Sequence, residues 1–255
     1  MRNMSGRYIR TVIVIILTVC AFFSVSAYSL VKRAVYADDL FVLCSIDYVI
    51  FPICNRAFAG ITAPLTTCVL FIRMKDNLYK DNYVVRSQSR GKISGIIIIN
   101  ALVYAVLWTV ISFVIMLLVG YDVTGCGCNY SLSNSSYAYY TGHVLDNTHI
   151  MLMLVRIVFN NWLEIYVRIM ICVWLTTFLK KDWCIFVGTA VLMFVFPYAF
   201  FRQNITSSDR AEIIYRFYSY DNTFAVQTAF LVAVCALLCL LTNIFMRRRD
   251  FYEEK

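Results

Sequence analysis

Long apolar runs separated by short polar segments limit the possible fold of this chain more than any other feature of its sequence. About 20 consecutive apolar residues in a helix span the hydrocarbon core of a bilayer, and a segment in lipid must satisfy its own backbone hydrogen bonds. The runs lie at about 11–31, 48–72, 93–119, 150–179, 183–201 and 223–246. We therefore predict an all-α integral membrane protein with six transmembrane helices, in which residues 1–255 form a single domain.

Composition agrees with this prediction and narrows the choice of partners. The chain is 61% hydrophobic and 15% charged, whereas soluble domains contain about 25% charged residues. The net charge of +8 does not indicate a nucleic-acid partner, because the basic residues cluster at the ends of apolar runs and do not alternate with aromatic residues along one face. We expect contact with membrane lipid and none with nucleic acid.

The positions of Lys and Arg predict the topology, because the cytoplasmic loops of membrane proteins are enriched in these residues. Basic residues are concentrated in segments 1–10, 73–92, 180–181 and 247–255, whereas segment 121–149 contains neither Lys nor Arg. This distribution predicts that both termini are cytoplasmic and that 121–149 is external.

Two of the apolar runs leave alternatives open. The run at 11–31 follows a basic start, as a signal peptide does, but its length favours a retained first span. The region 40–72 is long and contains Asp47, Arg56 and two prolines. Two crossings there would each be too short, so we favour one tilted or kinked span at 48–72, preceded by an external or re-entrant piece.

The segment between the fifth and sixth runs predicts a short external helix. Asp209 and Glu212 resemble a helix N-terminus, and Ile213, Ile214 and Phe217 supply an apolar stripe. A simple tether with interfacial tyrosines is the alternative.

The basic segment 73–92 contains six of the 23 Lys and Arg residues. Asp81 or Asn82 can cap a short helix there, and Tyr83 together with the two following valines gives it an apolar patch. A helix in this position is suited to contact with a cytosolic partner. An ordinary positively charged loop is the competing interpretation.

Four residues of this segment, Tyr83, Arg86, Ser89 and Arg90 (Y-x-x-R-x-x-S-R), resemble the loop between spans two and three of bacterial ABC-2 type permeases. In that family this loop forms a coupling helix against an ATPase. The resemblance implies a plasma-membrane permease paired with a second, identical or homologous permease subunit, above a cytosolic ABC ATPase dimer. It also implies export of an amphipathic peptide, drug or lipid-like substrate.

The resemblance further implies that ATP and Mg²⁺ bind to the partner ATPase and that this chain carries no cofactor. No P-loop, H-E-x-x-H or G-x-S-x-G motif occurs in the sequence, so we expect no catalysis by this chain. A non-transporting membrane protein, such as a sensor or an assembly factor, is the alternative function.

The fourth apolar run contains ionisable residues that lipid does not tolerate unpaired. Asn160, Asn161, Glu164 and Arg168 are its candidate substrate-path residues. Glu164 and Arg168 stand four residues apart with the acid first, so they can form a helix ion pair. Such a pair either fixes the rotation of the helix or lines a polar path. For Arg156 we expect either the outer interface or Asp47 as partner.

Most of the ten cysteines lie in apolar runs, where cysteine is usually a small buried hydrophobe. Cys126 and Cys128 lie in the external segment. Two cysteines without nearby histidines do not match a zinc site, and the sequence predicts no disulfide framework.

Overall fold

The computed structural model of this chain describes part of it. The described residues are 13, 17, 41–54, 90–179, 181, 183–189, 191–192, 215, 218–219 and 222–248, of which 51–54, 90, 223 and 247–248 are described by their backbone alone. The helices are α1 (Asp47–Cys54), α2 (Arg90–Thr124), α3 (Ser136–Thr141), α4 (Asn147–Leu175) and α5 (Thr223–Arg248). The described residues include no β-strand, in agreement with the predicted all-α class.

Three helices are long and apolar enough to cross a membrane: Gly91–Thr124 of α2, Asn147–Leu175 of α4 and Phe224–Met246 of α5. They correspond to the predicted third, fourth and sixth spans. The chain is therefore a membrane protein with at least these three candidate spans. The number six and the side on which the termini lie stay predictions.

The other predicted spans fall mainly outside the described residues. Nearly all of 11–31 and most of 48–72 lie there. Of the predicted fifth span, residues 183–189 are helical. In the predicted external helix between spans five and six, Tyr215, Tyr218 and Ser219 are helical.

Helix α4 is the central helix of the described bundle and packs against both α2 and α5. Half of its most apolar window is buried, compared with 28% for α2 and for α5. Ser94 Oγ, near the start of α2, lies 3.0 Å from Asn243 Oδ1, near the end of α5. These two helices therefore run antiparallel.

The surface of α2 that faces away from the bundle is apolar. Ile99 is 63% exposed and Leu118 is 64% exposed, and further exposed residues recur between them at three- and four-residue intervals. Helix α5 likewise exposes Val226, Leu237 and Leu240. Contiguous apolar surface is unfavourable in water but not in lipid, so these faces agree with a membrane environment.

A compact group of segments covers the C-terminal end of α2, which is the end predicted to be external. We call residues 41–50, residues 125–146 and Tyr215 the cap. In it, Val42 N donates to Asn134 O (2.8 Å), and Ser135 Oγ caps the start of α3.

The cap is joined closely to α2 at Gly120. A Cβ atom built on Gly120 would lie 2.8 Å from Ser45 O and 2.9 Å from the Cβ of Tyr48. Ser45 Oγ also donates to Leu117 O at 2.7 Å. Only a residue without a side chain allows this approach of two backbones.

Gly120→Ala is expected to destabilise the protein by about 1–3 kcal/mol, because the added methyl meets backbone atoms that cannot turn aside. Gly95→Ala is the matched control, since that position on the same helix has no atom within 4 Å of a Cβ and alanine is the better helix former. Thermal unfolding in detergent should give a lower midpoint for the first variant and an equal or higher one for the second. Equal midpoints would contradict the close packing at Gly120.

Candidate functional site

A stripe of polar residues runs along one face of α4. Arg156, Asn160, Glu164 and Arg168 follow one another at four-residue intervals, and side chains four residues apart on a helix are neighbours. The stripe therefore extends over more than three turns of the central helix.

Three members of the stripe form one hydrogen-bonded chain. Asn160 Nδ2 donates to Glu164 Oε1 at 2.9 Å, and Arg168 Nη2 donates to Glu164 Oε2 at 3.1 Å. The Glu164 side chain is 27% exposed and that of Arg168 is 11% exposed. The predicted ion pair between Glu164 and Arg168 is confirmed, and both oxygens of the carboxylate have a donor.

Asn160 can accept a further hydrogen bond at its side-chain amide oxygen. Its Oδ1 is buried and has no hydrogen-bond partner among the described residues. Asn161, predicted together with it, is half-buried and takes no part in the network. The structure thus assembles three of the four predicted polar residues into one group.

Arg156 lies apart from this group, toward the cap. Its Nη1 donates to the carbonyl oxygens of Tyr218 (3.0 Å) and Ser219 (2.9 Å), and its guanidinium stands 5.3 Å from the centre of the Phe224 ring. Of the two arrangements expected for Arg156, the pairing with Asp47 is wrong. Carbonyl oxygens near the start of α5 accept the hydrogen bonds of the guanidinium instead.

A second polar group, which the sequence did not reveal, is centred on Asp47 in the cap. The hydroxyls of Tyr130 (2.6 Å), Ser136 (2.7 Å) and Tyr215 (2.5 Å) donate to its Oδ1. The backbone N–H of Cys44 donates to its Oδ2 at 2.8 Å. Four donors from separate parts of the chain therefore meet one carboxyl group.

The Asp47 carboxyl is completely buried. Within the described part of the chain, no cationic side chain contacts it. Burial raises the pKa of Asp47, and this effect is larger than the opposing effect of its hydrogen-bond donors. The hydroxyl donors therefore offset only part of the cost of burying the charged form of this carboxyl.

Aromatic rings enclose this carboxyl. The rings of Tyr130 and Tyr137 each meet Tyr215 edge to face, at centroid distances of 5.8 and 5.5 Å, and Tyr140 stacks on Tyr215 at 5.8 Å. The packed rings hold the phenolic hydroxyls in place around the carboxyl, so the cap is a connected hydrogen-bonded unit.

In the sequence, Asp47 stands out only as a charge within an apolar run and as one of the two expected positions for a partner of Arg156. Tyr130, Ser136 and Tyr215 lie 83, 89 and 168 residues away from it in the chain. The one available signal was the conjunction of an acid in an apolar run with a tyrosine-rich external loop.

The predicted coupling residues are described only at their end. Tyr83, Arg86 and Ser89 lie outside the described residues, and Arg90 is the first residue of α2. Their proposed role is therefore untested. The described residues contain no group of three or more His, Cys, Asp or Glu side chains placed to hold a metal ion.

Comparison with protein-family models, curated proteins and solved structures gave no match to this chain. The resemblance at Tyr83 to Arg90 therefore stays a prediction from the sequence.

Removing Glu164 alone is expected to destabilise the protein more than removing both partners. Glu164→Gln leaves the guanidinium of Arg168 in a poorly solvated place without a counter-ion, whereas the double variant with Arg168→Gln leaves no charge. Thermal unfolding of both single variants and the double variant measures this coupling, with Asn161→Ala as the control outside the network. Additive losses would show that the two charges are hydrated independently.

Asp47→Asn is expected to loosen the cap, because an amide nitrogen cannot accept the hydrogen bond of the donor that it faces. A buried donor left without an acceptor costs about 1–3 kcal/mol. Hydrogen exchange of the backbone amides across 125–146 should be faster in this variant. Asp122→Asn, at an exposed position, is the control and should leave the exchange rates unchanged.

The same variant tests the pH dependence. Because the pKa of Asp47 is higher in the folded protein than in the unfolded chain, its contribution to stability is present at low pH and is lost as the pH rises through the folded pKa. Asp47→Asn should remove this pH-dependent loss of stability, measured as the thermal unfolding midpoint at a series of pH values. If the midpoint depends on pH in the same way in the variant, another titrating group causes the dependence.

Proposed function

We propose that this protein is the transmembrane permease subunit of an ABC transporter that exports an amphipathic peptide, drug or lipid-like substrate. A separate cytosolic ATPase dimer would bind ATP and Mg²⁺ and drive export, so this chain itself would not be an enzyme. A second permease subunit, identical or homologous, would complete the pathway in the plasma membrane of a bacterium.

The observation that carries the proposal is the continuity of α2. This helix begins at Arg90, inside the basic segment, and continues for 35 residues to Thr124 at the cap. At 1.5 Å per residue it is about 52 Å long, whereas the hydrocarbon core of a bilayer is about 30 Å thick. One unbroken helix is therefore long enough to reach from the proposed ATPase contact to the opposite surface of the bilayer.

Such a helix can transmit a movement only if its far end is attached to something. The close approach of Gly120 to Ser45 and Tyr48, and the hydrogen bond from Ser45 Oγ to Leu117 O, supply that attachment. A displacement of the cytoplasmic end would then tilt the cap as one body. In an exporter this movement would open and close the outer exit.

The polar stripe of α4 supports the proposal in a second way. The Asn160, Glu164 and Arg168 group lies in the central helix, and the Glu164 side chain keeps 27% of its surface exposed. An exposed carboxylate within a span favours a polar or wetted path beside it. Amphipathic substrates need both this polar strip and the apolar surface around it.

One observation favours a non-transporting membrane protein such as a sensor or an assembly factor. The two oxygens of Glu164 are already bonded to Asn160 and Arg168, so this carboxylate is satisfied without a substrate. A purely structural stripe would look the same, and the basic loop would then contact lipid headgroups only.

Reversing the charge at two positions of the basic segment 73–92 distinguishes a transporter subunit from a non-transporting protein. Arg86→Glu with Arg90→Glu should abolish copurification of a P-loop ATPase with the tagged protein from native membranes, while insertion stays unchanged, because solvated loop charges contribute on the order of 1 kcal/mol or less to stability. Mass spectrometry of the purified complex measures the partner.

The matched control is Lys180→Glu with Lys181→Glu, which reverses two charges in another predicted cytoplasmic segment. This control should retain the ATPase. If no ATPase accompanies the unchanged protein, or if the coupling variant retains it fully, the transporter proposal is wrong and the basic segment is only topogenic.

A further inference from the structure

Two cysteines that are far apart in the sequence meet in the cap. The side chains of Cys44 and Cys128 lie near one another, because segment 41–50 pairs with segment 125–146 beside both residues. Both are free thiols, Cys44 being buried and Cys128 exposed. No sequence pattern pairs them, because Cys44 belongs to an apolar run and Cys128 to the segment predicted to be external.

Backbone and side-chain hydrogen bonds fix the position of both cysteines. Ser45 N donates to Cys126 O at 3.0 Å on one side of the pair, and Asn129 Nδ2 donates to Val42 O at 2.9 Å on the other. Each cysteine therefore lies between two anchored neighbours. This pairing of the two segments places Cys44 and Cys128 side by side.

Their environments give the two thiols different reactivity. The hydrogen bond from Cys44 lowers the pKa of Cys128 to about 7, so that a large fraction of this exposed thiol is ionised at neutral pH. The hydrogen bond with Cys128, burial and the nearby Asp47 raise the pKa of Cys44. An exposed thiolate next to a buried thiol is the arrangement of an attacking and a resolving cysteine.

We propose that Cys44 and Cys128 form a disulfide that locks segment 41–50 of the cap to segment 125–146. The oxidant would be a disulfide of the external side, either an oxidised dithiol protein or a low-molecular-weight disulfide R–S–S–R. This inference goes beyond the proposed transport function and needs only the predicted external position of the cap, where disulfides persist.

The exchange balances in two steps. The Cys128 thiolate attacks one sulfur of R–S–S–R, forming a mixed disulfide and releasing R–S⁻. Cys44 then attacks the Cys128 sulfur, the second R–S⁻ leaves, and the Cys44 proton passes to a departing thiolate. The net change is two cysteine thiols oxidised to one disulfide and one R–S–S–R reduced to two R–SH.

The closed disulfide would join segments that Asp47 already holds by hydrogen bonds. In the reduced protein the cap can separate when these bonds break, whereas in the oxidised protein residues 44 and 128 stay joined. The redox state of the external side would thereby set how far segment 41–50 can separate from segment 125–146.

The test uses the full-length protein, both in cells and after purification. Cells are quenched in acid, free thiols are alkylated, and the digested protein is examined by mass spectrometry. We expect one cross-linked peptide pair that joins Cys44 and Cys128. Free thiols at both positions in aerobically grown cells would overturn the proposal.

Purified reduced protein treated with oxidised glutathione tests the geometry directly. The same pair should form, and the thermal unfolding midpoint should rise by roughly 5–15 °C and fall again on reduction. Cys126→Ser should behave like the unchanged protein, whereas Cys128→Ser, at an exposed position, should lose both the cross-link and the rise. A bond between Cys126 and Cys128, or only cross-links between chains, would also overturn the proposal.

The result is independent of the transport proposal. Loss of the disulfide in Cys128→Ser leaves ATPase copurification as it was, and loss of the ATPase in the variant with Arg86→Glu and Arg90→Glu leaves the disulfide intact. Each proposal can therefore fail without the other.

Discussion

The buried carboxyl of Asp47 is the interaction on which the arrangement of the cap depends. It joins the start of α1, the segment between α2 and α4, and Tyr215, and each contributes a hydrogen-bond donor. A carboxyl group without water must be satisfied by the protein or lose its charge. Because the donors come from three parts of the chain, satisfying this one group fixes how those parts meet.

The cap is attached closely to α2. Gly120 lets the backbone at Ser45 approach that helix directly, so the hydrogen-bonded unit around Asp47 lies at the end of the 35-residue helix. Packing as close as this transmits strain. In the proposed exporter, a movement applied at the predicted cytoplasmic end would therefore reach the cap. The proposed disulfide between Cys44 and Cys128 would hold two segments of the cap together.

The polar stripe on α4 has a different character, because it is satisfied mainly within its own helix. Glu164 is bonded to residues one turn before and one turn after it, so the helix could insert into lipid with most of its charge already neutralised. This local satisfaction explains why the pair was predictable from spacing alone. It also explains why the stripe serves equally well as a structural device and as the lining of a path.

The sequence by itself determined the class of the protein, three of its long helices and the Glu164–Arg168 pair. Apolar length and four-residue spacing are properties of a single segment, and a helix in lipid satisfies its own backbone without help from the rest of the chain. Only the tertiary structure decided the partners of Asp47, the carbonyl contacts of Arg156 and the meeting of Cys44 with Cys128. Apart from the local bond of Cys44 N to Asp47, these contacts join residues between 62 and 168 positions apart. Their formation depends on the free energy of packing several segments together. No local pattern encodes that free energy, because each donor in the cap gains its partner only when the whole cap has closed.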